Sequence, residues 1–281
     1  MIAYVTDAVV IDVVQFDKLT HINYAFLIPK DDGTFYTIAN AWKLEDLVSK
    51  AHDQGVKVLI SVGGWGYDAQ FEVVAADPAL RAVFVEELCT FVETYNLDGT
   101  DIDWEYPDLE TRQNFVALMQ ELRAALPPEK LLSAAVVAAG VTGEGIPTES
   151  FQSVDFLNIM AYDGPPEQHA SLAYSETALD YWLGRGLPPE KTVLGVPFYA
   201  QPNGVPYRKL IQADPKFAQI DQTEYYGTTV FYNGIPTLLK KINLALERGS
   251  GIMFWTLEQD TTDSTSLLSA IYTYLYGVNP P

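Results

Sequence analysis

The chain has 281 residues, 48% of them apolar and only 19% charged, so it is long enough for a barrel-sized core and too apolar to stay disordered. Seventeen Lys and Arg against 37 Asp and Glu leave a net charge of −20. That surface repels phosphate backbones and anionic lipid, so neither nucleic acid nor a membrane is expected as a partner, whereas a neutral polysaccharide meets no such penalty.

The opening MIAYVTDAVV reads as a strand and lacks the basic start and cleavage site of a secretory leader. A cytosolic protein, or one whose leader has been removed, are the two expectations. After IAYV from Ile2 comes the strand HINYAFL from His21, with little helical signal between them. The helix AWKLEDLVSKAHDQG stops at Gly55 and leads to the strand KVLISVGG from Lys57. DPALRAVFVEELCTFVETY opens a helix with Asp77 as cap and Pro78 at its first position. The strand LDGTDIDWEY from Leu97 and the helix TRQNFVALMQELRAAL follow, the latter closed by Pro127 and Pro128. Two strands, LLSAAVVA from Leu131 and VDFLNIMAY from Val154, are again joined without a clear helix. The helix SETALDYWLGRG, the strand TVLGVPFYA from Thr192, the helix PTLLKKINLALERG, the strand GIMFWTLEQD from Gly251 and the helix STSLLSAIYTYLYG complete the chain.

Near-continuous apolar strands of this kind are those of a parallel sheet covered on both faces. Eight of them alternating with helices predict an α/β fold, a closed (β/α)8 TIM barrel forming one domain over residues 1–281. The dinucleotide fingerprint GxGxxG, which an open doubly wound sheet would carry after its first strand, is absent. Residues 201–233, rich in Tyr, Pro and Gly, form the longest insertion and follow the seventh strand, on the face where barrel enzymes place their sites. The single Cys89 sits in an apolar-patterned helix and is expected in the core. His21, His52 and His169 lack metal-ligand spacing, so no metal and no cofactor is expected.

The segment Asp98-Gly-Thr-Asp101-Ile-Asp103-Trp-Glu105-Tyr-Pro107 carries the chemistry. Side chains alternate along a strand, so Asp101, Asp103 and Glu105 share one face while Ile102 and Trp104 take the other, toward the covering helices. The carboxylate face is then the barrel interior. No Lys or Arg lies in a strand core to neutralise it, which argues against a purely structural ladder. Three such groups titrate together and keep at least one proton near neutral pH, which is how a protein holds a carboxylic acid ready to donate. Asp98 has the wrong parity for this face and is expected to play a supporting structural part.

These residues resemble the DGxDxDxE signature of family 18 chitinases, complete here from Asp98 to Glu105. SVGGW (Ser61 to Trp65), MAYD (Met160 to Asp163), YWLGRGLPPEKTVLGVPFY and GIMFWTLEQD resemble further landmarks of that family, in its order. The resemblance implies cleavage of β-1,4-linked N-acetylglucosamine chains by a retaining mechanism in which the 2-acetamido oxygen of the substrate is the nucleophile. It makes Glu105 the acid and then base, Asp103 the group that orients the acetamido, and Asp101 its proton-sharing partner. Tyr162 is implied to hydrogen-bond the acetamido oxygen and Asp163 to hold the distorted sugar. Trp255 is implied as an apolar floor, with Met160, Trp65 and Tyr199 as further substrate contacts. Two alternatives stay open: an endo-β-N-acetylglucosaminidase using the same residues on N-glycan cores, and a non-catalytic lectin, which would usually lack the acid at Glu105.

Two departures bear on the cleft. Many relatives carry Gly-Arg where this chain has Ala200-Gln201. The 201–233 insertion is also too short for the α+β domain that deepens the groove elsewhere, so an open, shallow cleft is expected, with Tyr225, Tyr226 and Tyr232 as further sugar platforms. The implied partner is an oligosaccharide or polysaccharide containing N-acetylglucosamine. A monomer, secreted or periplasmic, is expected for a polymer substrate.

Overall fold

A computed structural model of the chain describes residues 1–165 and 169–277. In chain order the strands are β1 (Ile2–Thr6), β2 (His21–Leu27), β3 (Lys57–Gly63), β4 (Gly99–Asp103), β5 (Leu131–Val137), β6 (Phe156–Met160) and β7 (Thr192–Pro197). Two small hairpins follow, β8 (Tyr199–Ala200) with β9 (Val205–Pro206) and β10 (Gln222–Tyr225) with β11 (Thr228–Phe231), before β12 (Gly251–Trp255). Strands β1 to β7 and β12 close into one parallel barrel, with β12 between β7 and β1.

The helices are α1 (Ala41–Asp53), α2 (Asp68–Ala76), α3 (Pro78–Thr94), α4 (Arg112–Ala125), α5 (Leu172–Gly184), α6 (Tyr207–Ala213), α7 (Ile235–Arg248) and α8 (Leu267–Tyr276). The two strand pairs without a helical signal between them are joined by 3-10 turns, Ile11–Val13 and Phe16–Lys18 in the first case, Val141–Gly145 and Thr148–Gln152 in the second. Asp77 caps α3 by accepting the Ala79 amide at 2.7 Å, with Pro78 in the first turn. No helix among the described residues is long and apolar enough to cross a membrane.

The large apolar core lies outside the barrel wall, between strands and helices. Trp104 stacks on Phe71 of α2 at 5.2 Å and 10°, which fixes the outward side of the strand that carries the carboxylates. Inside the barrel the side chains are mixed: Ile2, Tyr4, Val193 and Met253 share the space with Asn23, Ser61, Asp101, Ser133 and Asn158, all buried. Cys89 is half-buried and not in the core as expected. The buried stripe of α3 runs through Phe84, Val85, Leu88 and Val92, leaving Cys89 beside it on a groove between α3 and α4.

Candidate active site

The end of β4 is placed by close backbone contact. Gly64 donates its amide to the Asp103 carbonyl at 2.8 Å, and a Cβ on Gly63, whose φ is +104°, would meet that carbonyl at 2.5 Å. Glycine is therefore required at Gly63 on two counts, space and backbone conformation.

Asp101 lies at the centre of the barrel, fully buried. Its Oδ2 accepts from the Tyr4 hydroxyl (2.7 Å) and the Ser61 hydroxyl (2.8 Å). Its Oδ1 accepts from the Ser133 hydroxyl (2.6 Å) and the Asn158 amide (3.2 Å). Four donors from four other strands thus fill its acceptor positions, and among the described residues no hydrogen bond joins it to Asp103. Both Asp101 oxygens are engaged by neutral donors. Burial pushes the Asp101 carboxyl above the ordinary range while these hydrogen bonds pull against it.

Asp103 is 3% exposed and its Oδ1 has no hydrogen-bond partner among the described residues. Its carboxyl is pushed well above the ordinary range by burial first, then by the charges of Glu105 and Asp101. Glu105 is raised as well, by burial first; the Tyr106 hydroxyl opposes this and the charge of Asp163 adds to it. The three groups therefore differ by surroundings: Asp101 is held by polar donors, Asp103 is almost bare, and Glu105 reaches the opening.

That opening is a cavity of about 270 Å³ at the carboxyl end of the strands. Asp103, Glu105, Met160, Tyr162, Asp163, Tyr199, Trp255 and Trp65 all line it, whereas Asp101 does not. Trp255 rests on Phe26 (5.4 Å, 24°) and tilts against Tyr4 (5.6 Å, 56°), a rigid aromatic base. Tyr162 stands edge-on to Tyr199 at 6.2 Å. Trp65 is 78% exposed at the rim. Asp163, at a φ of +56°, accepts from the Tyr199 hydroxyl (2.7 Å) and the Gln201 amide (2.8 Å). Burial raises its carboxyl, but His169, Gln201 and Tyr199 outweigh that and it lies below the ordinary range.

Tyr4, Phe26, Tyr106 and Ala135 also line the cavity and were not singled out in the sequence. Tyr4 and Phe26 look like ordinary apolar strand residues; only their place at the interior face or the end of a strand could have marked them. Tyr106 follows Glu105 directly, and that adjacency was the available signal. The peptide bonds 25–26, 105–106 and 255–256, each beside a cavity residue, are cis.

Three expectations about other residues are resolved. Tyr232 is not a sugar platform: it is 3% exposed and its hydroxyl donates to the Phe217 carbonyl at 2.8 Å. Tyr225 packs edge-on against Tyr226, which is 93% exposed at the tip of the β10–β11 hairpin, and neither lines the cavity. Asp98 accepts from the Val58 amide (2.7 Å) and lies 2.8 Å from His52 Nε2, tying β4 to β3 and α1. The insertion itself holds β9, α6, a 3-10 turn and the β10–β11 hairpin. A larger groove of about 1070 Å³ lies on the flank between α3 and α4, away from the carboxylates.

The sequence model of the glycosyl hydrolases family 18 matches residues 1–260. The chain is 34% identical over 223 residues to a probable endochitinase of Caenorhabditis elegans, covering 65% of this chain and 36% of that protein. It is 33% identical over 171 residues to the probable chitinase 2 of Drosophila melanogaster, covering 52% of this chain and 35% of that protein. It therefore spans about a third of the length of these relatives. Among solved structures, a chitinase from Bacteroides thetaiotaomicron superposes with a TM-score of 0.89 at 26% identity, covering 98% of this chain and 96% of that one. A GH18 chitinase from the chitin utilization locus of Flavobacterium johnsoniae superposes with a TM-score of 0.83 at 30% identity, covering 97% and 92%. With its barrel, its strand of carboxylates and a family match over nearly all its length, the chain belongs to glycosyl hydrolase family 18.

Proposed function

We propose that this chain hydrolyses β-1,4-linked N-acetylglucosamine chains, chitin or its oligomers, with retention at the anomeric carbon. The observation that carries this reading is the graded carboxylate ladder, in which bare, buried Asp103 stands between hydrogen-bonded Asp101 and cavity-facing Glu105. The names of the relatives, chitinases from animals and bacteria, support the substrate class.

Burial raises the Glu105 carboxyl above its ordinary range, which favours the protonated form, so it serves as the acid that protonates the glycosidic oxygen and then as the base for water. Asp103 accepts from the acetamido N–H and faces the positive charge that develops on the substrate. Tyr162 donates to the acetamido oxygen, which attacks the anomeric carbon as the leaving group departs. Trp255 supports the apolar face of the sugar. Asp101 keeps Asp103 in a negative field, and Asp163 accepts from a sugar hydroxyl. Export of the protein and action as a monomer belong to the same proposal.

Proton NMR on freshly cleaved N-acetylglucosamine pentamer tests the mechanism: the first product should be the β-anomer, and the fully deacetylated pentamer should remain uncut. An initial α-product would refute participation of the acetamido group. Cleavage of glycoproteins but not of chito-oligomers would move the substrate to N-glycan cores.

A further inference from the structure

His169 is a buried imidazole beside Asp163 and Tyr199, which line the cavity, and the roles above leave it unused. Its side chain is 1% exposed, and its Nδ1 lies 3.6 Å from Asp163 Oδ1. Neither ring nitrogen has a hydrogen-bond partner among the described residues. A buried imidazole left so is costly unless an acceptor is within reach. The gap of 3.6 Å is beyond a hydrogen bond, and a shift of about half an ångström would bring it within hydrogen-bond distance.

The backbone holds the ring in place from both sides. Gly164 donates its amide to the His169 carbonyl at 3.0 Å. The next carbonyl, Ala170, accepts from the buried Lys241 ammonium (2.7 Å) and from the Asn233 amide (2.8 Å). The imidazole also packs on the Tyr199 ring at 5.5 Å. Asp163 has two other donors, Tyr199 and Gln201. The hydroxyl carries no charge, and the Gln201 contact is exposed to competition from water. His169 is the only basic side chain paired with Asp163 among the described residues.

We infer that His169 is a positioning residue whose Nδ1–H holds the Asp163 carboxylate toward the cavity as a hydrogen-bond acceptor. The inference deepens the hydrolase reading and rests on it for the task of Asp163. The other titratable groups facing Asp163 are Glu105 and Tyr106 beyond the end of β4, Tyr199 of β8 and Tyr174 of α5. Their mutual electrostatics raise one another, whereas His169 acts in the opposite sense on Asp163.

The test compares wild type, His169→Phe, which keeps a flat ring on Tyr199 without nitrogens, and His169→Asn, which restores a donor near the Nδ1 position. Carbon-detected NMR should place the Asp163 carboxyl midpoint about one pH unit higher in the Phe variant, and close to wild type in the Asn variant. The acid limb of kcat/KM on the pentamer should move upward by the same amount, with KM raised more than kcat is lowered. In the wild-type protein, proton–nitrogen correlation should find the proton on Nδ1, which decides the matter even if the Phe variant does not fold. An unprotonated Nδ1, or an Asp163 midpoint unchanged by the Phe substitution, overturns the inference. A shifted Asp163 midpoint in a wild-type protein that cuts no sugar would support the inference while removing the hydrolase reading.

Discussion

Asp101 and Asp103 are two residues apart on one strand, both buried, and yet they meet opposite treatment. Four neutral donors surround the first, while the second keeps an oxygen with no partner among the described residues. An unpartnered buried carboxyl is costly when charged, and that cost is the mark of a group kept for chemistry. Its ordinary value is surpassed in the folded state, so its contribution to stability is present at low pH and is lost as pH rises through the raised value. Asp103→Asn should therefore unfold at a higher temperature than wild type, by a margin that grows from pH 5 to pH 8 in thermal scans. The same variant should lose at least ~100-fold in kcat, since the charge facing the substrate is gone. The comparison has to be between variants, because His21, lowered to about 4 by burial, and the amino terminus, lowered to about 6, carry pH dependence of the opposite sign in both proteins. The parity argument placed Asp101, Asp103 and Glu105 correctly from spacing alone. Spacing within one strand does not reveal that Asp101 is saturated, because Tyr4, Ser61, Ser133 and Asn158 come from four other strands, each more than 30 residues away in sequence.

Most barrel strands were legible because they are short runs of apolar residues buried on both faces, whereas β4 is marked by its alternating carboxylates. The elements that escaped were α2, α6 and the two hairpins, all short and all supported by packing more than by periodicity. Helix α2 matters to the site, since Phe71 stacks on Trp104 on the outward side of the carboxylate-bearing segment. The turn from β3 into α2 is equally demanding. Gly63→Ala should destabilise the protein by about 2–4 kcal/mol, because the added carbon meets both Phe71 and the Asp103 carbonyl in a left-handed conformation. Urea denaturation measures this directly, and a loss below about 0.5 kcal/mol would show that β3 and β4 can part without cost.

Across the whole molecule, the charge of −20 stands against a cavity whose own chemistry needs carboxyls close together. Self-repulsion of that size is screened by salt, so raising NaCl from about 10 mM to about 300 mM at pH 7 should lift Tm by a few degrees. An unchanged or lowered Tm would mean that favourable ion pairs dominate instead. Composition gives only an expectation about partners, whereas the count of eight strands predicts the closed barrel that is found. What composition and spacing could not supply was the depth of each group in the barrel, which separates Tyr232 in the core from Trp65 on the rim.

The central claim is that Glu105 transfers the proton that breaks the glycosidic bond. It is tested most directly by incubating wild type and Glu105→Gln with N-acetylglucosamine pentamer and following the products by mass spectrometry. Cleavage by wild type, slowed at least ~100-fold in a variant that remains folded, is the predicted result. A Gln variant that cuts the pentamer at close to the wild-type rate would contradict the account.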